Sequence, residues 1–344
     1  MNSLKDTKIM ATMGPTLSDK ESVARMLQSG VKCFRIHMGL RTRDLCGYFK
    51  NALDVASILE EKIEVILDLP SSRPRVGNME SFTYVKGDNV VFEDINESRD
   101  NSIVPLPTLS LLTEFLKVGD RILFRDGRII FKILKVNENS IETVCERAVV
   151  EMRQLSSCAF PDSQILFDPI VQADMKYLTK MCEMGMEPQW IALSFTSDKK
   201  QIQLVREVYN KVWGNNKVKI MAKIESKRGL DNIDEIIEVA DGIMIARGDL
   251  LLCVEPDELP FIQEKLVRKC KKYNKIVVVA TEFFEKHAET GIINRSELSD
   301  VYLAAKQKSD YIMLARETGN NPYIDECIKI ISKIIKRVNN NEEM

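Results

Sequence analysis

The chain has 344 residues, 44% hydrophobic and 29% charged, a balance that belongs to a folded globular protein and excludes a disordered one. A formal net charge of −2 gives no general footprint for nucleic acid or anionic lipid, no apolar run approaches the ~20 residues that span a bilayer, and Met1–Lys8 is too polar for a signal peptide. Eight cysteines without a C-x-x-C pair read as reduced core residues of a cytoplasmic protein, and two histidines, His37 and His287, argue against a histidine-rich zinc site.

In chain order, β-runs first alternate with helical patterns: a strand at Lys8–Thr12, a helix at Lys20–Gln28, a strand at Cys33–Ile36, a helix at Leu45–Glu60 and a third strand at Ile63–Asp68. Between Arg75 and Leu166 the rhythm changes. Runs at Arg121–Phe124, Arg128–Val136 and Ser140–Val144 read as β-hairpins, with turns at Asp126-Gly127 and Asn137–Asn139. From Trp190 the first rhythm returns, with strands at Trp190–Ser194, Val218–Met221, Ile243–Ala246, Ile276–Ala280 and Tyr311–Leu314 and a last helix at Asp325–Arg337. Repeated βα units bury both faces of a parallel sheet, and eight of them close as a barrel. The expected class is α/β: a (β/α)8 TIM barrel formed by residues 1–75 and 166–344, with a β-rich lid, 76–165, inserted after the third strand and projecting over the carboxyl face. The polar tail Asn339–Met344 is expected to fray.

Two stretches carry chemistry. Met221-Ala222-Lys223-Ile224-Glu225 and Ala246-Arg247-Gly248-Asp249-Leu250 each close an apolar run that reads as a buried parallel strand. Lys223 and Glu225 are two apart and so share one side of an extended segment. Asp249 follows the next strand, and parallel neighbours lie about 5 Å apart. A lysine and two carboxylates thus converge at the carboxyl edge of the sheet, where barrel enzymes keep their chemistry. Two such carboxylates suit a hard divalent cation, Mg²⁺ or Mn²⁺, that keeps waters for substrate oxygens. With the lysine beside it, this is a site for a substrate rich in anionic oxygen.

The remaining landmarks point to a family. Thr7-Lys8-Ile9 leading to Thr12-Met13-Gly14-Pro15, Arg35 after the second strand, Asp68, Arg75 and Gly77 after the third, and Ser194-Phe195 after the fourth fall in order with the two motifs above. Ala280-Thr281, Arg295, Glu297, Ser299-Asp300-Val301 and Glu317-Thr318 complete the series. The chain resembles pyruvate kinase over essentially its whole length. Members usually carry a further carboxyl-terminal domain for assembly and effector binding, whereas this sequence ends after the last barrel helix. The expectation is a complete small member or a divergent paralogue, its oligomeric state open and a homo-oligomer included.

The resemblance implies roles residue by residue. Glu225 and Asp249 would hold the divalent metal, which grips the carboxylate and the carbonyl or enolate oxygen of pyruvate or phosphoenolpyruvate. Lys223 would stabilise charge on the phosphoryl group or the enolate oxygen, and Thr281 would stand near the enolate carbon. Arg35 and Arg75 would clamp the phosphoryl group, because guanidinium forks suit phosphate oxygens. Ser194, Phe195, Gly248, Asp249 and the backbone N–H groups around Arg247–Asp249 would line the substrate position, while Thr12, Pro15, Arg75 and Asp126 would face ADP or ATP. Plainer readings stand beside these: an exposed Lys223–Glu225 pair, a helix-capping Asp249, a β-branched strand residue at Thr281, a surface arginine at Arg75 and an ordinary turn at Asp126-Gly127. His37 and His287 read as packing or surface residues, Arg41–Arg43 and Lys269–Lys272 as solvated faces, and the methionines around 182–186 as core filler.

Departures from the family pattern sharpen the expectation. Where K⁺-dependent members supply asparagine, serine, aspartate and threonine, this chain has His37, Gly39, Asp68 and Leu69, and a nearby glutamate has become Arg73. K⁺ is therefore not expected to be required, the fixed charge of Arg73 standing in for it. Leu40, Pro70, Ser156, Ala315 and Arg316 replace groups on the transfer side, and Leu251 replaces a glycine. The leading expectation is Mg²⁺-dependent phosphoryl transfer between phosphoenolpyruvate and a nucleoside diphosphate. The rivals are metal-dependent enolate chemistry of aldolase or lyase type on a pyruvate-like ligand, and a non-catalytic sensor of a phosphorylated acid.

Overall fold

A short strand buried on both faces has little room for polar side chains away from its ends. Seven of the eight barrel strands keep theirs within one residue of an end, and the second, with Arg35, is the exception. The computed structural model describes residues 6–40, 44–215, 217–318 and 321–341; Arg41–Arg43 and the end of the polar tail lie outside them. Strands β1 (Lys8–Thr12), β2 (Val31–His37) and β3 (Glu64–Leu69) come first. The six strands of a separate sheet follow: β4 (Asn89–Glu93), β5 (Ile103–Pro105), β6 (Arg121–Phe124), β7 (Ile129–Val136), β8 (Ser140–Ala148) and β9 (Cys158–Ala159). Five more, β10 (Trp190–Leu193), β11 (Lys219–Ile224), β12 (Gly242–Ala246), β13 (Ile276–Ala280) and β14 (Tyr311–Leu314), complete the first set. The eight close as a parallel barrel in the order β1-β14-β13-β12-β11-β10-β3-β2. This is the (β/α)8 barrel expected from the sequence.

Alternation divides each strand between two cores. Ile220, Ala222 and Ile224 of β11 pack outward with the helices, while Met221 joins Met10, Cys33, Ile66, Trp190 and Met244 inside the barrel. The helices start where small polar residues can accept their first free N–H groups: Asp19, Asp44, Asp198, Ser226 and Asn294 each do so. Of the methionines read as filler, Met186 is buried but Met184 is half exposed. In the basic run, Lys271 is not simply solvated, because its Nζ lies 2.7 Å from Asp310 Oδ1. Among the described residues no helix is long and apolar enough to cross a membrane.

The second sheet runs β5-β4-β8-β7-β6-β9 and has its own core, built on Phe92, Phe124, Phe131 and Ile133 and joined by Phe195 from the barrel. Its root is tied where the Val76 N–H donates to Ser156 O at 2.9 Å. Its Arg125–Gly127 turn reaches back over the barrel: Asp126 Oδ2 lies 2.6 Å from Arg316 Nη1, and Arg128 Nη2 lies 3.6 Å from Glu285 Oε1. The turn residues Arg125, Asp126 and Gly127 all have positive φ, which turn residues such as Asp and Gly tolerate best.

Candidate active site

The alternation that fills the barrel with apolar side chains delivers polar ones at its carboxyl end. Met221 faces in, so Lys223 and, one step past the strand, Glu225 face in too. By the same count Cys33 aligns Arg35 and His37 inward, Ile66 aligns Asp68, and Ala192 aligns Ser194. These groups meet. Lys223 Nζ donates to Ser194 Oγ at 2.8 Å and to Asp68 Oδ1 at 3.1 Å, and lies 3.2 Å from Glu225 Oε1. Arg35 Nε donates to Asp68 Oδ2 at 2.7 Å and its Nη1 to Thr12 Oγ1 at 3.0 Å.

Charge placement sets the ionisation of the cluster. Burial works against the Asp68 carboxylate, but Lys223 and Arg35 more than reverse it and hold the group far below the usual carboxylate range. Burial pushes Glu225 up, against Lys223, and the charges of Asp249 and Asp68 add to the rise. His37 lies among Arg35, Lys223 and Arg75; burial first, then Arg35, depress its imidazole to about 3. It is therefore neutral at neutral pH.

This yields a pH prediction. The unfolded histidine titrates near ~6.5, so below that pH the unfolded chain binds a proton the native chain refuses, and stability falls as pH drops from there towards the folded value. Because His37 keeps part of its surface open to the cavity, the loss is put at about 1–2 kcal/mol by pH 5. Urea unfolding at pH 7.5 and 5 should show wild type losing that much more than His37→Gln; equal losses would refute it.

Arg35, His37, Ser194, Lys223 and Glu225 line a cavity of about 500 Å³ at the carboxyl end of the barrel, to which Asp126 and Ser157 of the second sheet's segment also contribute, while Asp68 is fully buried. Thr12, Pro15, Arg35, Arg75, Asp126, Ser194, Phe195, Lys223, Glu225, Gly248, Asp249 and Thr281, all expected at the site, line it together. Their contacts refine the expectation. Thr12 accepts from Arg35 and donates to Leu314 O at 2.9 Å, so it positions the guanidinium. The Gly248 N–H, expected to cradle a substrate carboxylate, instead donates to Thr281 Oγ1 at 3.0 Å. Thr281 and Glu282 have φ of +74° and +59°, a left-handed strain that the surrounding loop must hold in place. Asp126 is engaged by Arg316 rather than open to the cavity alone.

Two residues have contacts that their sequence readings did not specify. His37 is a cavity wall rather than a packing or surface residue, and its spacing of two from Arg35 was the signal. Arg73 does not reach Asp68, whose charge Arg35 and Lys223 already hold; its Nη1 donates to Asp249 Oδ1 at 2.8 Å and its guanidinium lies 4.5 Å from the Phe195 ring centroid. Arg73 overcomes the upward push of burial on Asp249 and keeps that carboxyl below its ordinary value. The Leu40 side chain lies outside the described residues.

The donor set fits a divalent ion of the Mg²⁺ class. Glu225 and Asp249 offer only hard carboxylate oxygens to an open cavity, and the mutual charge of the two favours a cation between them. Among the described residues no group of three or more His, Cys, Asp or Glu side chains gathers into a metal site, so the other positions would fall to water and ligand oxygens.

Known proteins agree with this architecture. A family model described as pyruvate kinase, barrel domain, matches residues 4–328. The chain is 30% identical over 333 residues to a pyruvate kinase of Thermococcus litoralis, covering 96% of this chain and 69% of that one. It is 27% identical over 339 residues to a pyruvate kinase of Thermotoga maritima, covering 97% and 71%. A crystal structure of a pyruvate kinase from Cryptosporidium parvum shares the fold with a TM-score of 0.88 at 24% identity, covering 98% of this chain and 70% of that one. With most of its length matched by one family model, the chain belongs to the pyruvate kinase family.

Proposed function

We propose that the chain is a pyruvate kinase-like phosphotransferase, moving a phosphoryl group between phosphoenolpyruvate and a nucleoside diphosphate. The observation that carries this reading is that Arg35, Lys223 and Glu225, the first two held by the fully buried Asp68, line the same cavity as Asp249 and Thr281. In the proposed step a terminal oxygen of the diphosphate attacks phosphorus, the bond from phosphorus to the enol oxygen breaks, and its electron pair stays on that oxygen. Lys223 faces the charge that develops there and, held by Asp68 and Ser194, needs no reorganisation to meet it. Arg35 and Arg75 bind the phosphoryl oxygens as forks. Ser194, Phe195, Gly248 and Asp249 bound the acid, Thr281 stands by the carbon that takes a proton to give pyruvate, and Thr12, Pro15 and Asp126 edge the nucleotide side. A bound Mg²⁺ or Mn²⁺, held by Glu225 and Asp249, would supply electrostatic stabilisation of anionic oxygens. K⁺ is not part of the proposal, since Asp68 already carries two cationic partners.

A second reading, enolate chemistry without nucleotide, is favoured by the Asp126–Arg316 ion pair on the nucleotide side. Two assays separate them: coupled ATP formation from phosphoenolpyruvate and ADP, and exchange of pyruvate methyl protons in D₂O, both with Mg²⁺. ATP formation together with exchange supports the phosphotransferase. Exchange alone transfers the assignment to the second reading, and neither activity overturns both.

A further inference from the structure

Arg73 is tied to one carboxylate of the proposed divalent site and stacks on the residue that holds the other. Its Nη1 donates to Asp249 Oδ1 at 2.8 Å, and its face covers the Phe195 ring at 4.5 Å. Phe195 is itself fixed to the other carboxylate, its backbone N–H donating to Glu225 Oε2 at 2.6 Å, while its ring packs edge-on against Phe167 at 5.4 Å. The pair is sheltered, with side-chain exposures of 12% for Arg73 and 26% for Asp249. An aromatic face and a carboxylate both stabilise a guanidinium, which cannot leave by losing its proton. A divalent ion drawn to Glu225 and Asp249 must therefore share Asp249 with this charge or displace it.

We propose that Arg73 is an internal counter-cation that competes with the divalent ion for Asp249 and sets the metal affinity of the chain. The proposal rests on the reading of Glu225 and Asp249 as the divalent site. When the ion takes Asp249, the displaced guanidinium remains in a cavity it shares with Arg35 and Lys223, where an anionic ligand oxygen can receive it. Metal entry and anion binding are coupled through one side chain.

The test is titration of the intact chain with Mn²⁺, reading the free ion by electron paramagnetic resonance without any substrate. Arg73→Gln should bind Mn²⁺ roughly tenfold or more tightly than wild type, and Arg73→Gln combined with Asp249→Asn should lose the gain. Arg73→Lys, which keeps a cation and the fold should the glutamine variant fail, should bind a few-fold more tightly because an ammonium lacks the stacked fork. Unchanged or weaker binding in the Arg73 variants, with Glu225→Gln and Asp249→Asn still abolishing it, overturns the competition and leaves the divalent site standing. No Mn²⁺ bound by any form overturns both.

Discussion

Replacing Lys223 with methionine is expected to lower pyruvate methyl-proton exchange, and any phosphoryl transfer, by about 10²–10³-fold. Methionine keeps the unbranched stem but removes the charge proposed to face the developing oxyanion. Lys223 donates to Asp68 and Ser194 and lies against Glu225, so the ammonium is pre-positioned, and its loss falls on the transition state more than on ground-state binding. The same change leaves Glu225 buried without its cation, so stability should drop by about 3 kcal/mol. The two effects separate experimentally: exchange is measured at saturating pyruvate and at a temperature where circular dichroism shows the variant folded. Exchange within about fivefold of wild type under those conditions would remove Lys223 from the chemistry.

Much of the barrel is legible in the chain because each strand is buried on both faces and appears as an apolar run. The expected bounds of Ile276–Ala280 and Tyr311–Leu314 coincide with β13 and β14. Legibility fails where the site begins. β11 is expected to stop at Met221 yet pairs with β12 through Ile224, because Lys223 breaks the apolar pattern without breaking the backbone ladder. β2 likewise runs on to His37, beyond the expected Ile36. A strand that carries function hides its own end. In the second sheet β4 and β5 escape notice because one lies between Gly87-Asp88 and Asp94 and the other is three residues long. The helix Gln172–Glu183 has Val171 as its N-cap, an apolar side chain that does not announce a helix start. The site divides in the same way: a spacing of two announces Lys223 and Glu225, whereas Arg73 and Asp249 are 176 residues apart, and no local pattern pairs them.

Truncating Asp68 to alanine should cost about 3–5 kcal/mol, because it strands two buried cations rather than removing one favourable contact. Asp68 is fully buried, with Arg35 Nε at 2.7 Å and Lys223 Nζ at 3.1 Å, and its Oδ1 also accepts from Ser194 Oγ at 3.3 Å. Asp68→Asn tests the charge alone, since an amide keeps the volume and part of the hydrogen bonding. The sign of its pH dependence follows from the depressed carboxyl. The native group stays ionised well below the unfolded value near ~3.9, so its stabilisation is fully present above that value and is lost as pH falls towards the folded one. Urea unfolding of wild type and Asp68→Asn should therefore show a gap that is widest near neutrality and narrows by about 1 kcal/mol between pH 6 and pH 3. A gap that stays constant or widens on acidification would mean that Arg35 and Lys223 do not hold Asp68 ionised. The electrostatic frame that positions Lys223 would then need another origin.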